Sequence, residues 1–351
     1  MKVLFYPSDY STNKYGSIIT EGLSSRSIEV VTYSSAFKSY NVFKSIDVVH
    51  LNWFESLGKS TSADIKKFIA RSAKLIAFKL SGKRIVWTMH NKISHDQKNR
   101  SLKKAFMRLI ISSADVIIIH SKISEQILQE AYHTSKSKIK YIPHPDYIDA
   151  YKAPVPIAVQ PLSQGRLNLL FLGAVKPYKN IELLINMARQ FPDKVTLTIA
   201  GNAKENYKAQ VIEYARGTSN VNFILQFIPD DMLTTYIRDS DLLILPYNLK
   251  SSLNSGTVIL AFSNARTVIC PAIGTISDLE DPDTVLSYTY TDDEQHAGIL
   301  LNKVQQAIAM KEADPSIFKK LGAKVFEQVS LYNSKDSVTD KLINQYQSPR
   351  S

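Results

Sequence analysis

Short apolar runs alternate along the chain with polar loops and with stretches in which apolar residues recur every three or four positions. The first pattern predicts buried β-strands and the second amphipathic helices. The predicted strands are Val3–Tyr6, Ile28–Tyr33, Asp47–Leu51, Arg84–Met89, Val116–Ile119, Ile139–Ile142, Leu167–Leu172, Val195–Ala200, Val221–Leu225, Leu242–Leu245, Val268–Ile269 and Val285–Ser287. Alternation of strand and helix is typical of parallel, doubly wound α/β sheets.

The alternation is interrupted between residues 151 and 166, where Pro154, Pro156 and Pro161 stand in a segment with little periodicity. Such a segment is typical of an interdomain linker. A chain of 351 residues with 44% hydrophobic residues is long enough for two domains with separate cores. We therefore predict an N-terminal domain over 1–150, a linker over 151–166 and a C-terminal domain over 167–330.

The positive charge of the chain is concentrated in one segment. The formal net charge is +11, and between Lys59 and Arg108 fourteen Lys and Arg residues stand against Asp64 and Asp96, a net charge of +12. The predicted helix Ile65–Leu80 within it has the composition of an interfacial amphipathic helix. Such a segment attracts a membrane leaflet or a nucleic acid. The following side chains are called the basic patch: Lys66, Lys67, Arg71, Lys74, Lys79, Lys103 and Lys104.

The remaining composition indicates a cytoplasmic protein. Cys270 is the single cysteine, so a disulfide framework is excluded and a reducing compartment fits. The first residues, MKVLFYPSD, contain an apolar run too short for a secretory signal. No apolar run approaches the roughly 20 residues that a membrane-spanning helix needs. We expect a protein that is not integral to a membrane.

The stretch Leu167–Ile185 predicts an anion-binding turn. The apolar strand breaks at Gly173, a polar loop with Lys176 and Lys179 follows, and apolar residues then return at helical spacing. The free N–H groups at a helix N-terminus suit a phosphate, and Lys179 would add a full charge there. An ordinary strand-to-helix turn with a surface lysine has the same pattern, so both interpretations stay open.

A second strand, loop and helix of this kind runs from Leu242 to Phe262. The N–H groups of Gly256 and Thr257, with the hydroxyls of Ser255 and Thr257, would cradle a phosphate. The alternative is a helix that is merely capped by Ser255.

Four histidines, His50, His90, His120 and His144, stand at or just past the ends of predicted strands. Ligands of open α/β sheets bind outside the carboxyl ends of the strands, so all four could line one crevice. A single histidine in such a place is usually a hydrogen-bonded bystander. His90 can accept a proton near neutral pH, and Trp53 offers a face for a sugar or, alternatively, packs in the core.

Four segments together resemble a GT-B glycosyltransferase, most like glycosyltransferase family 4 and its bacterial polysaccharide relatives. They are Leu167–Ile185, Leu242–Phe262, Trp87–Asn91 and His50–Trp53. The resemblance implies two Rossmann-like doubly wound domains that face a central cleft. It also implies that the C-terminal helix, within 331–351, crosses back to the N-terminal domain.

The resemblance assigns roles to the candidate residues. His90 would act at the reacting centre. The diphosphate of the donor would contact Gly173, Lys176, Lys179, Ser255, Gly256 and Thr257, and the acceptor side of the cleft would contain His50, Trp53, Asn91, His120 and His144. The chain departs from the family at Ala174, where an arginine is usual, and near Ser252 and Leu260, where two glutamates are usual. These departures leave ribose recognition and the stereochemical outcome open.

The implied activity is transfer of a hexosyl group from a nucleotide-diphosphate sugar to a saccharide acceptor in capsule, exopolysaccharide or O-antigen synthesis. The basic patch suggests a lipid-linked acceptor and an enzyme held peripherally at the inner face of the cell membrane. A nucleic acid is not expected, because no recognition fold accompanies the basic residues. No cofactor or metal is expected, since lysine and helix termini can stabilise the leaving diphosphate. Two alternatives are a GT-B nucleotide-sugar epimerase and a catalytically silent membrane-binding scaffold.

Overall fold

The computed structural model describes residues 1–7, 14–57, 61–92, 100–151 and 165–349, apart from the side chains of Thr61 and Arg100. The chain forms two compact units. Unit one contains residues 1–145 together with 333–351, and unit two contains 146–332. Most of the predicted linker over 151–166 lies outside the described residues, as do Lys59 and Asp96 of the basic segment.

The described residues of unit one form a six-stranded parallel sheet in the order β2-β1-β3-β4-β5-β6. Its strands are β1 Lys2–Tyr6, β2 Glu29–Thr32, β3 Val48–Asn52, β4 Arg84–Met89, β5 Val116–Ile119 and β6 Ile139–Tyr141. Its helices are α1 Lys14–Ser25, α2 Tyr33–Ala36, α3 Tyr40–Ser45, α4 Thr61–Leu80, α5 Arg100–Ser113, α6 Lys122–Tyr132 and, from the end of the chain, α14 Lys335–Gln347. The pattern did not predict α2 and α3, which are short helices between β2 and β3.

The C-terminal helix packs on α1, as predicted. Val338, Leu342 and Tyr346 of α14 belong to the same buried cluster as α1 and the core strands. Close approach depends on Gly22 of α1, where a Cβ atom would lie 2.1 Å from Thr339 Oγ1. Helix α14 is therefore an integral part of the core of unit one.

Unit two repeats the architecture, with a described six-stranded parallel sheet in the order β12-β11-β10-β7-β8-β9. Its strands are β7 Leu167–Leu172, β8 Val195–Ala200, β9 Val221–Ile224, β10 Leu242–Ile244, β11 Val268–Pro271 and β12 Leu286–Tyr288. Its helices are α7 Ile181–Arg189, α8 Glu205–Tyr214, α9 Asp230–Arg238, α10 Gly256–Ser263, α11 Gly274–Ser277, α12 Asp293–Ala313 and α13 Ile317–Tyr332. Central strands such as β7 and β10 are buried along their whole length because helices cover both faces of the sheet.

No helix of the described residues is both long enough and apolar enough to cross a membrane.

Candidate active site

In unit two, a glycine without a side chain follows the carboxyl end of both β7 and β8. Gly173 and Gly201 follow the two strands with φ of +139° and +145°, in a region that favours glycine. A Cβ atom on Gly201 would lie 1.9 Å from the carbonyl oxygen of Gly173, and one on Gly173 would lie 4.0 Å from Thr257 Oγ1. The two glycines thus let both loops and the start of α10 meet with no side chain between them.

The N-terminus of α10 is held in place by hydrogen bonds from three directions. Ser255 caps the helix, with its hydroxyl accepting from the N–H of Val258 at 3.2 Å. The N–H of Ser255 donates to Thr275 Oγ1 at 2.9 Å, and the Tyr247 hydroxyl lies 2.8 Å from Ser255 Oγ. The helix has no acidic residue in its first turn, so the N–H groups of Gly256 and Thr257 keep a positive potential there.

Lys179 lies on a short 3₁₀ turn, Pro177–Lys179, beside this helix terminus. The turn is joined to the end of β10 because Asn180 Nδ2 donates to the carbonyl of Pro246 at 2.8 Å. Lys179 Nζ lies 4.4 Å from the centre of the Tyr247 ring, over its face. Burial, and then the positive charge of Lys176, lowers the pKa of Lys179 to about 8.

The charge of Lys179 is not balanced by a neighbouring carboxylate of the described residues. Among the described residues no carboxylate forms an ion pair with this ammonium, although it is partly withdrawn from water. Lys176, the other predicted cation, is exposed, with Nζ 5.8 Å from the centre of the Tyr178 ring. The arrangement can therefore bind one negatively charged group at Lys179 with the start of α10.

Asn254, directly before the capping serine, is a residue that the sequence pattern did not single out. Both polar atoms of its side-chain amide are buried, and neither has a hydrogen-bond partner among the described residues. An orphaned amide of this kind costs free energy unless a ligand or water satisfies it. Asn254 thus lies in the loop that leads into α10, where the sequence predicted a phosphate site.

In unit one, the donor and the acceptor of each hydrogen bond around His120 can be assigned. The backbone carbonyl of Ile142 can only accept, so His120 donates to it from Nδ1, at 2.8 Å. His120 Nε2 must then accept, and it does so from the Tyr15 hydroxyl at 3.2 Å. The Tyr15 oxygen in turn accepts from the Thr88 hydroxyl. Both ring nitrogens of His120 are thus used inside the unit.

The same chain of hydrogen bonds continues to His50. Since the Thr88 hydroxyl donates to Tyr15, its oxygen accepts from His50 Nε2 at 2.7 Å. His50 Nδ1 then accepts from the Tyr346 hydroxyl of α14 at 2.6 Å. These bonds use both ring nitrogens of His50 and of His120, and the predicted place of the two residues on the acceptor side stays a prediction. Burial lowers the pKa of each to about 3, so both are neutral.

His90 differs from these two residues. Its ring stacks on Trp53, with centroids 3.9 Å apart and planes at 16°, and meets the Tyr15 ring edge-on at 4.9 Å. Nε2 lies 3.0 Å from Asn52 Oδ1, and the described residues provide no hydrogen-bond partner for Nδ1. Burial first, and then His120, His144 and His50, holds the pKa of His90 well below its usual range. His90 is therefore a neutral imidazole with an available nitrogen.

The other predicted cleft residues surround His90. Trp53 is half-buried, packs against the core and has φ of +50°, an uncommon value for a non-glycine residue. His144 is half-buried, donates from Nδ1 to the carbonyl of Pro145 at 2.7 Å and lies 5.1 Å from the Tyr15 ring. Among the described residues, no group of three or more His, Cys, Asp or Glu side chains is arranged to hold a metal ion.

Asn91 hydrogen-bonds a buried carboxyl group that the sequence pattern missed. Glu55 Oε2 accepts from Trp87 Nε1 at 3.3 Å, and Asn91 hydrogen-bonds the same carboxyl group, whereas Oε1 is buried without a partner among the described residues. Burial raises the pKa of Glu55. A single glutamate in a loop carries no pattern that would have revealed it.

The side chains of the basic patch differ in their exposure, and a role of the patch at a membrane stays a prediction. Arg71 turns inward, donates to the carbonyls of Phe54 and Ser56 and lies 5.0 Å from the Phe54 ring. Lys103 is 7% exposed.

Two further members of the patch have partners within unit one. Lys74 Nζ lies over the Tyr33 and Phe37 rings, and Lys79 forms an ion pair with Asp115. Lys66, Lys67 and Lys104 are exposed.

A family model described as "Glycosyl transferases group 1" matches residues 157–279. This range contains both glycine-ended strands, Lys179 and α10. The chain is a glycosyltransferase, and its residues 157–279 are similar to the group 1 family.

This glycosyltransferase has distant curated relatives in Xanthomonas campestris pv. campestris. One, a GDP-mannose:glycolipid 4-beta-D-mannosyltransferase, is 26% identical over 275 residues, which are 74% of this chain and 72% of the relative. A second, of the same name from another strain, is 26% identical over 239 residues, 64% of this chain and 61% of its own.

Solved structures confirm the GT-B fold. Anabaena Alr3699/HepE in complex with UDP matches with a TM-score of 0.69 at 15% identity, over 99% of this glycosyltransferase and 100% of that chain. Sucrose-phosphate synthase (tll1590) from Thermosynechococcus elongatus matches with a TM-score of 0.71 at 16% identity, over 99% and 98%.

Proposed function

We propose that this glycosyltransferase moves a hexosyl group from a nucleotide-diphosphate sugar to a saccharide acceptor carried on a lipid. The pathway would be synthesis of a bacterial capsule, exopolysaccharide or O-antigen. The observation that carries the proposal is the partly buried ammonium of Lys179, which no carboxylate of the described residues pairs, beside the start of α10 and the end of β7. A diphosphate supplies the negative charge that these groups lack.

The donor would bind unit two through its diphosphate. Lys179 and the N–H groups of Gly256 and Thr257 would stabilise the charge that grows on the leaving oxygen, and that stabilisation lowers the barrier. The Tyr247 ring, under Lys179 Nζ, keeps the ammonium beside the helix start. The side-chain amide of Asn254 would form hydrogen bonds with polar groups of the donor.

The acceptor hydroxyl would be activated by His90. In the proposed step the acceptor oxygen attacks the anomeric carbon, and its proton passes to the His90 ring. The bond from the anomeric carbon to the diphosphate breaks, and the electron pair leaves with the nucleoside diphosphate. A neutral imidazole is the form that can accept this proton.

The curated relatives are named as acting on a glycolipid, and α4 supports a membrane location for this chain too. Ile65, Ile69, Ile76 and Leu80 are exposed by 45%, 60%, 47% and 83%. Their spacing places all four on one side of the helix, which is then an apolar stripe in contact with water. Lys66 and Lys79, both exposed, flank this stripe on its two sides, and the exposed Lys67 lies in the same turn as Lys66. An apolar stripe bordered by lysines is typical of a helix that lies at a membrane surface.

Flotation with liposomes tests the membrane location. Each lysine close to an anionic leaflet contributes about 1 kcal/mol, so Lys66→Glu with Lys67→Glu should weaken binding roughly 30-fold or more. Wild-type binding should rise with anionic lipid and fall with salt. Arg71 and Lys74 are left unchanged because their reversal would disturb contacts inside unit one.

The matched control is Lys319→Glu with Lys341→Glu, which changes the charge equally at exposed lysines on other helices. It should leave flotation almost unchanged, whereas Leu80→Glu, in the stripe, should reduce it. Equal losses in the control and in the Lys66/Lys67 variant would mean that only net charge matters. Wild-type protein that ignores anionic liposomes at low salt would favour a soluble acceptor.

The transferase proposal is tested by following nucleotide release from a panel of nucleotide-sugars that includes GDP-mannose and UDP-glucose, with and without lipid-linked saccharide acceptors. A transferase should release the nucleoside diphosphate only when an acceptor is present. Conversion of the donor without any acceptor would indicate an epimerase instead. Binding of no nucleoside diphosphate, measured by titration calorimetry, would reject the donor site.

A further inference from the structure

Asn52 connects three strand ends in unit one. It is the last residue of β3, its side chain is fully buried, and it lies between the end of β1 and the residue after β4. Its Nδ2 donates to the backbone carbonyl of Tyr6 at 3.0 Å. Its Oδ1 lies 3.0 Å from Nε2 of His90.

The Tyr6 carbonyl decides the orientation of the Asn52 amide. A backbone carbonyl can only accept a hydrogen bond, so the NH₂ group of Asn52 must face Tyr6. The amide oxygen therefore faces His90, and it too can only accept. The hydrogen atom in this contact must come from His90, which requires a proton on Nε2.

A neutral imidazole carries one N–H, so a proton on Nε2 leaves the lone pair on Nδ1. The ring cannot exchange the two nitrogens easily, because it is stacked on Trp53 at 3.9 Å and held edge-on by Tyr15. His90 is thus fixed both in orientation and in the position of its hydrogen atom.

We propose that Asn52 is a positioning residue that holds His90 as the Nε2–H tautomer, so that Nδ1 is the atom that takes the acceptor's proton. The second half of this statement rests on the proposed function of His90. The first half, the tautomer, follows from the hydrogen bonds alone and has its own measurement.

The chain contains an internal reference for that measurement. His120 donates from Nδ1 to the carbonyl of Ile142 and accepts at Nε2 from Tyr15, so it should be the opposite tautomer, Nδ1–H. One spectrum of the full-length protein can therefore display both tautomers.

The experiment is a long-range proton–nitrogen correlation spectrum of ¹⁵N-histidine-labelled protein at neutral pH, with His90 assigned from the signal that His90→Gln removes. In the wild type, His90 should show an unprotonated Nδ1 and a protonated Nε2, and His120 the reverse. Asn52→Leu removes the acceptor at similar volume. It should shift His90 towards a mixture of tautomers, while His120 stays as it is.

A second experiment measures kcat and KM of Asn52→Leu and of the wild type. Loss of the correct tautomer should lower kcat about 10- to 10³-fold, with a smaller change in KM for the donor. A wild-type spectrum with the proton on Nδ1 of His90, or an unchanged His90 tautomer in Asn52→Leu, would overturn the proposal. If the wild-type spectrum shows the Nε2–H tautomer but His90→Ala turns over at the wild-type rate, the tautomer assignment stands and the proposed function of His90 is rejected.

Discussion

His90→Ala should lower kcat by about 10²–10⁴-fold, the range that a positioned general base contributes. Among the four candidate histidines, His50 and His120 have both ring nitrogens in internal hydrogen bonds. His90 has a nitrogen for which the described residues provide no partner. Donor affinity should change much less, because the proposed diphosphate site lies in unit two. Single-turnover kinetics and donor titration separate the two quantities.

The pH profile gives a second signature of His90. Because the pKa of His90 lies well below its usual range, the ring stays neutral at acid pH values at which an ordinary histidine is already charged. The rate should therefore stay level from neutral pH into the acid range and fall only below the depressed pKa, where the base becomes protonated. An exposed histidine acting as the base would lose activity nearer neutrality.

His133→Asn is the matched control for His90→Ala. His133 is exposed at the end of α6 with φ of +52°, a conformation that asparagine accepts. It should leave kcat unchanged. Wild-type turnover in His90→Ala, with the fold intact, would remove His90 from the reaction and leave His144 as the histidine to examine.

The parallel sheets were predictable because buried parallel strands are apolar along their whole length. β4, β5, β7 and β8 have the predicted bounds, residue for residue. The short helices α2 and α3 were missed, since segments of four and six residues show no periodicity.

The sequence did not reveal which of the histidines have both ring nitrogens in hydrogen bonds. His90 and His120 directly follow β4 and β5, but His50 is the middle residue of β3, and its hydrogen-bond partners include Tyr346, 296 residues away on α14. Whether a ring nitrogen is satisfied depends on such long-range contacts, and no local spacing encodes them. Arg71 illustrates the same limit, because a helix of alternating lysines and apolar residues does not reveal that one cation turns inward to Phe54.

Lys179→Met should weaken binding of a nucleoside diphosphate by about 1.5–3 kcal/mol, or about 10- to 150-fold, at pH 7. Methionine keeps most of the length of the side chain but removes the charge, and with it the cation–π contact of Nζ with the Tyr247 ring. Lys176→Met is the matched control in the same loop. Its side chain is exposed, so its removal should cost less. Titration calorimetry measures both affinities.

The affinity should also depend on pH, with a sign set by the pKa of Lys179. Burial lowers this pKa from 10.5 to about 8, so the empty site loses its ammonium from about pH 8 upward. Diphosphate affinity in the wild type should therefore fall by up to about tenfold per pH unit above that point. The fall should be absent in Lys179→Met. In Lys176→Met it should begin at higher pH, since a neighbouring positive charge that lowers the pKa is gone. Equal wild-type affinity at about pH 7 and pH 9.5, with unchanged affinity in Lys179→Met, would place the diphosphate elsewhere.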